Sequence, residues 1–130
     1  MILLDTHVVI WMTTNKQLLS PEAASQIRDA SRNGGGVAIA APTLWEIAMI
    51  SAKGSFRLPS TLGKYLSYIE SVFLVLPITS VIAEQSVSFS QAYPKNPTDR
   101  LIGATALAHD LLLVTKDDGI RGSGEVRCVW

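Results

Sequence analysis

Short apolar runs recur along the chain, separated by longer segments in which apolar and polar residues are mixed. These runs predict β-strands at residues 2–4, 37–40, 73–76 and 111–115, with a further candidate at 126–130. The first four do not alternate apolar with polar residues, a pattern typical of parallel strands that helices cover on both faces.

The segments between the strands predict helices. Besides a helix directly after the first strand, they lie at about residues 21–33, 41–53, 62–72, 81–92 and 97–109. Ser20 and Pro21 are a favourable helix start, and the glycines at 34–36 end that helix. Alternating strands and helices predict an open α/β sheet with right-handed crossovers. No linker or repeat divides the sequence, so we expect a single domain over residues 1–130.

Composition narrows the class of protein. The 130 residues are 48% hydrophobic, which is enough for a core that needs no metal or disulfide to fold. Cys128 is the single cysteine, which excludes an internal disulfide and fits a reducing compartment. No basic region precedes the first apolar run, and no stretch approaches the ~20 apolar residues of a membrane span. We therefore expect a cytoplasmic protein that does not contact a membrane.

Four acidic residues stand directly after predicted strands or in the first turns of predicted helices: Asp5, Glu46, Asp99 and Asp117. Local explanations exist for them. Asp5 can cap the following helix, Glu46 can interact with a helix N-terminus, and Asp99 occupies a capping-box position. Asp118 belongs to an Asp-Gly turn signal and needs no further role. Taken singly, most of these acids do not require a function.

Taken together, the four acids predict a cation site. The carboxyl ends of strands in an open α/β sheet are where ligands usually bind, so these side chains can converge at one edge. Two carboxylates ~5 Å apart repel each other by roughly 3 kcal/mol at an effective dielectric constant of ~20. Four such groups need protons or a cation, and hard oxygen ligands favour Mg²⁺ or Mn²⁺ over structural zinc. The net charge of zero neither supports nor excludes a phosphate-rich partner.

Three longer stretches that contain these acids, and one at the end of the chain, follow one another in a characteristic order and spacing. They are LLDTHVVIW at 3–11, WEIAMISAKGSFRLP at 45–59, NPTDRLIGATALAHDLLLVTKDDGI at 96–120 and the closing VRCVW. Through them the chain resembles the PIN-domain ribonucleases, specifically the VapC-type toxins of type II toxin–antitoxin pairs. The resemblance implies a three-layer α/β/α fold with a central parallel sheet of four to five strands. It also implies an Mg²⁺- or Mn²⁺-dependent endoribonuclease that hydrolyses RNA phosphodiester bonds.

The resemblance assigns roles to individual residues. It implies that the catalytic metal ligands are Asp5, Glu46, Asp99 and Asp117, with Thr6 and Thr115 in support. Asp117 is preferred to Asp118 because the family pattern has an apolar residue three positions later, where Ile120 stands. Two positions depart from the pattern: Asn96 replaces a common aspartate, and Ile50 replaces a common lysine. The expected partners are RNA, a cognate antitoxin and a second copy of the chain in a homodimer.

Basic and aromatic residues give weaker signals. Arg100 and Lys116 are modest candidates for RNA contacts, with Arg100 preferred because it follows Asp99. His7 is expected to form a local hydrogen bond rather than act as a general base. The three tryptophans have the chemistry to stack on bases, but packing in the core or an interface is the favoured interpretation; they are Trp11, Trp45 and Trp130.

Two other functions stay open. One is a metal-dependent phosphatase or phosphotransfer domain in which Asp5 accepts the phosphoryl group, although Glu46 would then have no role. The other is a non-catalytic RNA- or protein-binding domain of the same fold. That alternative leaves the retention of four acids without a reason.

Overall fold

A five-stranded parallel sheet forms the centre of the protein. The computed structural model describes residues 1–130. The strands are β1 (Ile2–Leu4), β2 (Val37–Ala40), β3 (Leu74–Leu76), β4 (Leu112–Val114) and β5 (Cys128–Val129), in the order β3-β2-β1-β4-β5. Every neighbouring pair is parallel, and Leu3 of β1 is in register with Ala38 of β2 and Leu113 of β4. The predicted parallel α/β sheet is confirmed.

Seven α-helices cover the sheet. They are α1 (Thr6–Thr14), α2 (Pro21–Arg32), α3 (Ala41–Ala52), α4 (Leu62–Val72), α5 (Ser80–Ser86), α6 (Pro97–Ala108) and α7 (Asp118–Ser123), with a 3₁₀ helix at Lys16–Leu18. None of them is both long enough and apolar enough to cross a lipid bilayer.

The sheet separates two hydrophobic cores, because successive side chains of a strand point to opposite faces. Ile2 and Leu4 face a cluster with buried residues of α1, α2, α3 and α4. Leu3 faces the other cluster, which includes buried residues of α5, α6 and α7. The result is the three-layer α/β/α arrangement that the family resemblance implied.

Side-chain caps determine where most of the helices begin. The Ser20 hydroxyl accepts a hydrogen bond from the Ala23 N–H, and Pro21 follows it at the first helical position. Asn96 and Pro97 start α6 in the same way. These caps satisfy N–H groups that have no partner inside the helix, so the predicted starts of α2 and α6 are confirmed.

The predicted helix at 81–92 is too long, since α5 ends at Ser86. Serine hydroxyls compete for the backbone there: Ser86 donates to the Ala83 carbonyl, and Ser88 donates to the Glu84 carbonyl. The chain then turns so that the Phe89 ring stacks on Tyr93, 3.9 Å between centroids. Local side-chain bonding therefore ends this helix.

Four further predictions are corrected. The Asp118-Gly119 pair is not a simple turn but begins α7, because the Asp117 side chain caps that helix. The third strand is not covered on both faces, since β3 lies at the edge of the sheet and Leu74 is 50% exposed. The strands predicted at 111–115 and 126–130 are shorter in the structure, at Leu112–Val114 and Cys128–Val129.

Candidate active site

A cleft of about 380 Å³ opens where β1 and β4 end and where several helices begin. It is lined by Asp5, His7, Trp11, Glu46, Asn96, Asp99, Lys116 and Asp117. All four acids singled out in the sequence therefore lie in one cleft, although they come from widely separated parts of the chain.

Asp5 is the most buried of the four acids, with 6% of its surface exposed. Its Oδ1 accepts the Thr6 N–H at 2.8 Å, which caps α1. Its Oδ2 accepts the Thr115 hydroxyl at 2.7 Å across the sheet. Burial raises the pKa of Asp5, while these two hydrogen bonds act in the opposite direction. Asp5 therefore caps α1 and lines the cleft at the same time.

Thr115 links Asp5 to Asp117. The fully buried Thr115 hydroxyl also accepts the Asp117 N–H at 3.0 Å, so one side chain fixes both acids. Asp117 Oδ1 in turn accepts the Ile120 N–H at 2.8 Å and caps α7. The neighbouring Asp118 points away from the cleft, with 99% of its side chain exposed. The structure therefore places Asp117, not Asp118, among the acids of the cleft.

Glu46 lies in α3, which begins directly after β2. Burial raises its pKa, the charge of Asp5 adds to the effect, and the Thr6 hydroxyl opposes it. Thr6 is itself fully buried and donates to the Thr43 hydroxyl at 3.2 Å. The side chain of Thr6 thus links the start of α1 to α3, and its supporting role stays a prediction.

Asp99 lies in the first turn of α6, where its carboxylate has acidic neighbours and no hydrogen-bond donor. The cap of α6 comes from Asn96, whose Oδ1 accepts the N–H groups of Thr98 and Asp99. The Asp99 carboxylate makes no hydrogen bond in return, so the capping box is incomplete. Burial, together with the charges of the other three acids, raises the pKa of Asp99 from 3.8 to about 7. A carboxylate with this environment lacks a positive partner.

The model of the PIN domain family matches residues 2–123 of this chain, which includes all four acids and the whole cleft. The chain belongs to the PIN-domain family. A relative from Mycobacterium tuberculosis, ribonuclease VapC22, is 32% identical over 131 residues, spanning 99% of this chain and 98% of the relative. This relationship places the protein with the VapC-type PIN domains.

Solved structures agree with this assignment. A toxin–antitoxin complex from Klebsiella pneumoniae superimposes with a TM-score of 0.68 at 26% identity, covering 100% of this chain and 97% of that one. VapBC2 from Rickettsia felis, solved with a fragment of promoter DNA, gives a TM-score of 0.72 at 15% identity, covering 99% and 98%. The second likeness, at its low identity, concerns the fold alone.

The donor set of the PIN domain fits a hard cation. The cleft offers four carboxylates and no cysteine, and oxygen donors are what Mg²⁺ and Mn²⁺ prefer. As the side chains stand, no three of the acids and histidines form a closed ligand cage. An ion that keeps several of its water molecules can be held by such a set partly through those water molecules. The unsatisfied Asp99 carboxylate is the clearest candidate for direct contact.

The two basic candidates differ in position. Lys116 lines the cleft of the PIN domain, with its Nζ 5.7 Å from the centre of the Trp11 ring. Arg100 does not line the cleft, because its guanidinium turns toward α5 and donates to the Ser86 carbonyl at 3.3 Å. Of the two residues, Lys116 and not Arg100 therefore lies at the cleft, and which of them contacts RNA stays a prediction.

His7 and Trp11 were both considered from the sequence, but neither was assigned to the cleft that the structure shows them to line. His7 is exposed in the cleft and makes no hydrogen bond, so the expected local bond is wrong. Trp11 lies one turn further along α1 and also lines the cleft. The sequence did contain one signal for their shared position, which is their spacing of four residues on a helix. Because Val8, Val9 and Ile10 between them are buried, His7 and Trp11 lie together on the outer face of α1.

Proposed function

We propose that this PIN domain is an endoribonuclease that uses Mg²⁺ or Mn²⁺ to hydrolyse RNA phosphodiester bonds. The observation that carries the proposal is the convergence of four carboxylates with a pKa of about 7 at Asp99. Such a site disfavours its own charge until a cation enters it. A phosphodiester then supplies oxygen ligands of the kind these ions bind together with carboxylates.

Each residue has a defined part in this function. Asp99 and Glu46 would hold the ion through carboxylates that no backbone N–H occupies, and Asp5 and Asp117 would hold it from positions fixed by Thr115. When bound, the ion would lower the pKa of a water molecule and offset negative charge on the phosphate. Lys116 stands at the cleft with its ammonium available to the RNA backbone.

The biological role proposed here is that of the toxin in a toxin–antitoxin pair. A Klebsiella pneumoniae protein that is 26% identical was solved as a toxin–antitoxin complex, and the VapC22 relative is named a ribonuclease. We extend both properties to this chain and infer that a cognate antitoxin binds it. The homodimer implied by the family resemblance remains a prediction, which light scattering of the purified protein measures.

The geometry disfavours Asp5 as a phosphoacceptor. A phosphotransfer reaction at Asp5 would leave Glu46 without a role, although Glu46 lines the same cleft and its pKa is raised by burial and by the charge of Asp5. A phosphotransfer domain is therefore a poorer explanation of this cleft. A non-catalytic RNA-binding domain is separated from the nuclease by the following experiment.

The test is cleavage of a mixed RNA pool by the purified chain, freed of any bound partner, with Mn²⁺, Mg²⁺ or EDTA. Wild-type protein is compared with Asp99→Asn and with a matched control, Asp118→Asn, in which the neighbouring but exposed acid is changed. We expect cleavage that requires the metal, disappears in Asp99→Asn and persists in Asp118→Asn. Binding of RNA without cleavage in any metal would refute the nuclease and favour the non-catalytic domain. Cleavage that resists EDTA would refute the metal site.

A further inference from the structure

Aromatic side chains form one wall of the cleft. The ring centroids of His7 and Trp11 lie 5.8 Å apart with the ring planes at 52°, and those of Trp11 and Trp130 lie 5.7 Å apart with the planes at 57°. Lys116 completes the group, with its Nζ 5.7 Å from the Trp11 centroid. His7, Trp11 and Lys116 all line the same cleft as the four acids. This aromatic wall, defined as His7, Trp11, Trp130 and Lys116, has no part in the metal chemistry described above.

The tryptophans of the wall pack against the hydrophobic core, whereas His7 is exposed. Trp11 and Trp130 are partly buried and pack against the hydrophobic core on the α1 side of the sheet. His7 is exposed and has no hydrogen-bond partner, so neither burial nor bonding accounts for its place in the cleft. A ring fixed by the core and exposed to the cleft is suited to bind a flat, apolar group without much loss of side-chain entropy.

The chemistry of the wall matches an unpaired nucleotide. Nucleobases stack on aromatic side chains irrespective of sequence, and a nearby cation accompanies the backbone phosphate. A base inside a duplex presents no free face, so the group selects single-stranded RNA, loops or ends. We propose that His7 and Trp11 stack an unpaired base beside the scissile phosphate, while Lys116 leaves the Trp11 ring to contact a phosphate. This inference rests on the proposed function, since it names how the same cleft recognises its RNA.

The experiment separates bases from phosphates. Binding is measured by fluorescence anisotropy in EDTA, with a labelled oligouridylate of about eight nucleotides and an abasic oligomer of equal length and charge. Wild-type protein should bind the oligouridylate about tenfold more tightly, the value expected for one stacked base. Trp11→Leu should lose most of that preference, and His7→Ala should lose part of it. Lys116→Ala should weaken both ligands by a similar factor.

Matched controls keep the test independent of folding. Trp45 is 60% exposed on α3 and does not line this cleft, so Trp45→Leu should keep the full preference for bases. His7 is exposed, so His7→Ala provides a second test if Trp11→Leu melts at a lower temperature. Equal effects of Trp11→Leu and Trp45→Leu, or no preference for bases in the wild type, would overturn the stacking proposal.

Cleavage assays distinguish this inference from the function on which it rests. If wild type and Trp11→Leu cut the same RNAs at the same rate in Mn²⁺, the stacking site is wrong while the nuclease stands. If the wild type neither binds nor cuts RNA, both proposals fail together. If duplex RNA binds as tightly as the oligouridylate, selection of unpaired nucleotides is refuted.

Discussion

Replacing Asp99 by asparagine should stabilise the metal-free protein while it abolishes cleavage. The pKa of Asp99 is raised from 3.8 to about 7, so the folded state retains a proton that the unfolded state has released. Between these two values the folded state binds more protons, and stability falls as the pH rises. Below about pH 3 both states are protonated and the penalty is absent. Above about pH 7 the penalty is complete, and an uncharged asparagine avoids it.

The magnitude follows from the two pKa values. The shift of the Asp99 pKa from 3.8 to about 7, at about 1.4 kcal/mol per pH unit, limits the destabilisation by the ionised carboxylate to about 4 kcal/mol. Asp99 is partly exposed, so solvent screening reduces this to about 1–3 kcal/mol. Losing a negative charge at the start of α6 removes about 0.3–1 kcal/mol of favourable helix-dipole interaction. The expected net gain is about 1–2 kcal/mol, or roughly 3–8 °C in Tm for a domain of this size.

The assay is thermal and urea unfolding in EDTA at pH 4 and pH 8. Asp99→Asn should be more stable than the wild type at pH 8 and should lose most of that advantage at pH 4. Asp118→Asn serves as the control, because its side chain is exposed and its change should stay within about 0.5 kcal/mol at either pH. An Asp99→Asn variant that is no more stable at pH 8, or equally stabilised at both pH values, would refute the electrostatic account of the cleft.

Three further outcomes follow from the packing and from the cleft. Gly103→Ala should destabilise the folded protein by about 3 kcal/mol or more, because the new Cβ would press on the Tyr93 hydroxyl and lie 2.7 Å from Tyr93 Cζ. Gly63→Ala, at an open position of α4, should be neutral or stabilising in the same thermal unfolding experiments. Thr115→Val should lower the free energy of unfolding by about 1–3 kcal/mol and remove most of the cleavage activity, because it loses the bonds to Asp5 and Asp117. Thr105→Val, in which the lost hydroxyl bonds only within α6, should keep the cleavage rate. Mg²⁺ at 100 times its Kd and pH 8 should stabilise the folded wild type by about 2.7 kcal/mol and so raise its Tm. A Tm that the metal does not change would contradict a cation site.

The sequence pattern predicted the layers of the fold better than the ends of its elements. Runs such as residues 37–40 coincide with a strand because a buried parallel strand must be apolar throughout. The start of α2 was predictable because Ser20 and Pro21 act within one turn. The end of α5 was not predictable, since it depends on which hydroxyls reach a carbonyl and on the stacking of Phe89 against the next segment.

The candidate site shows a similar limit. Strand-to-helix junctions locate the acids because parallel topology places those junctions at one edge. The direction of a side chain on a helix was harder to predict. Arg100 follows Asp99 in sequence, but successive helical residues point about 100° apart, so Arg100 contacts α5 instead of the cleft. Lys116 precedes α7 in an extended segment and reaches the cleft. Sequence proximity to an acid therefore predicts a shared cleft poorly within a helix.

The four acids divide into two pairs by how their carboxylates are held. Asp5 and Asp117 accept backbone N–H groups that start α1 and α7, so the fold itself depends on them. Asp99 and Glu46 accept no backbone N–H, and burial raises the pKa of both. The first pair fixes the position of the site, and the second leaves it short of positive charge. We therefore expect a cation to bind most directly at Asp99 and Glu46, because their oxygens have no backbone donor to lose when the ion binds.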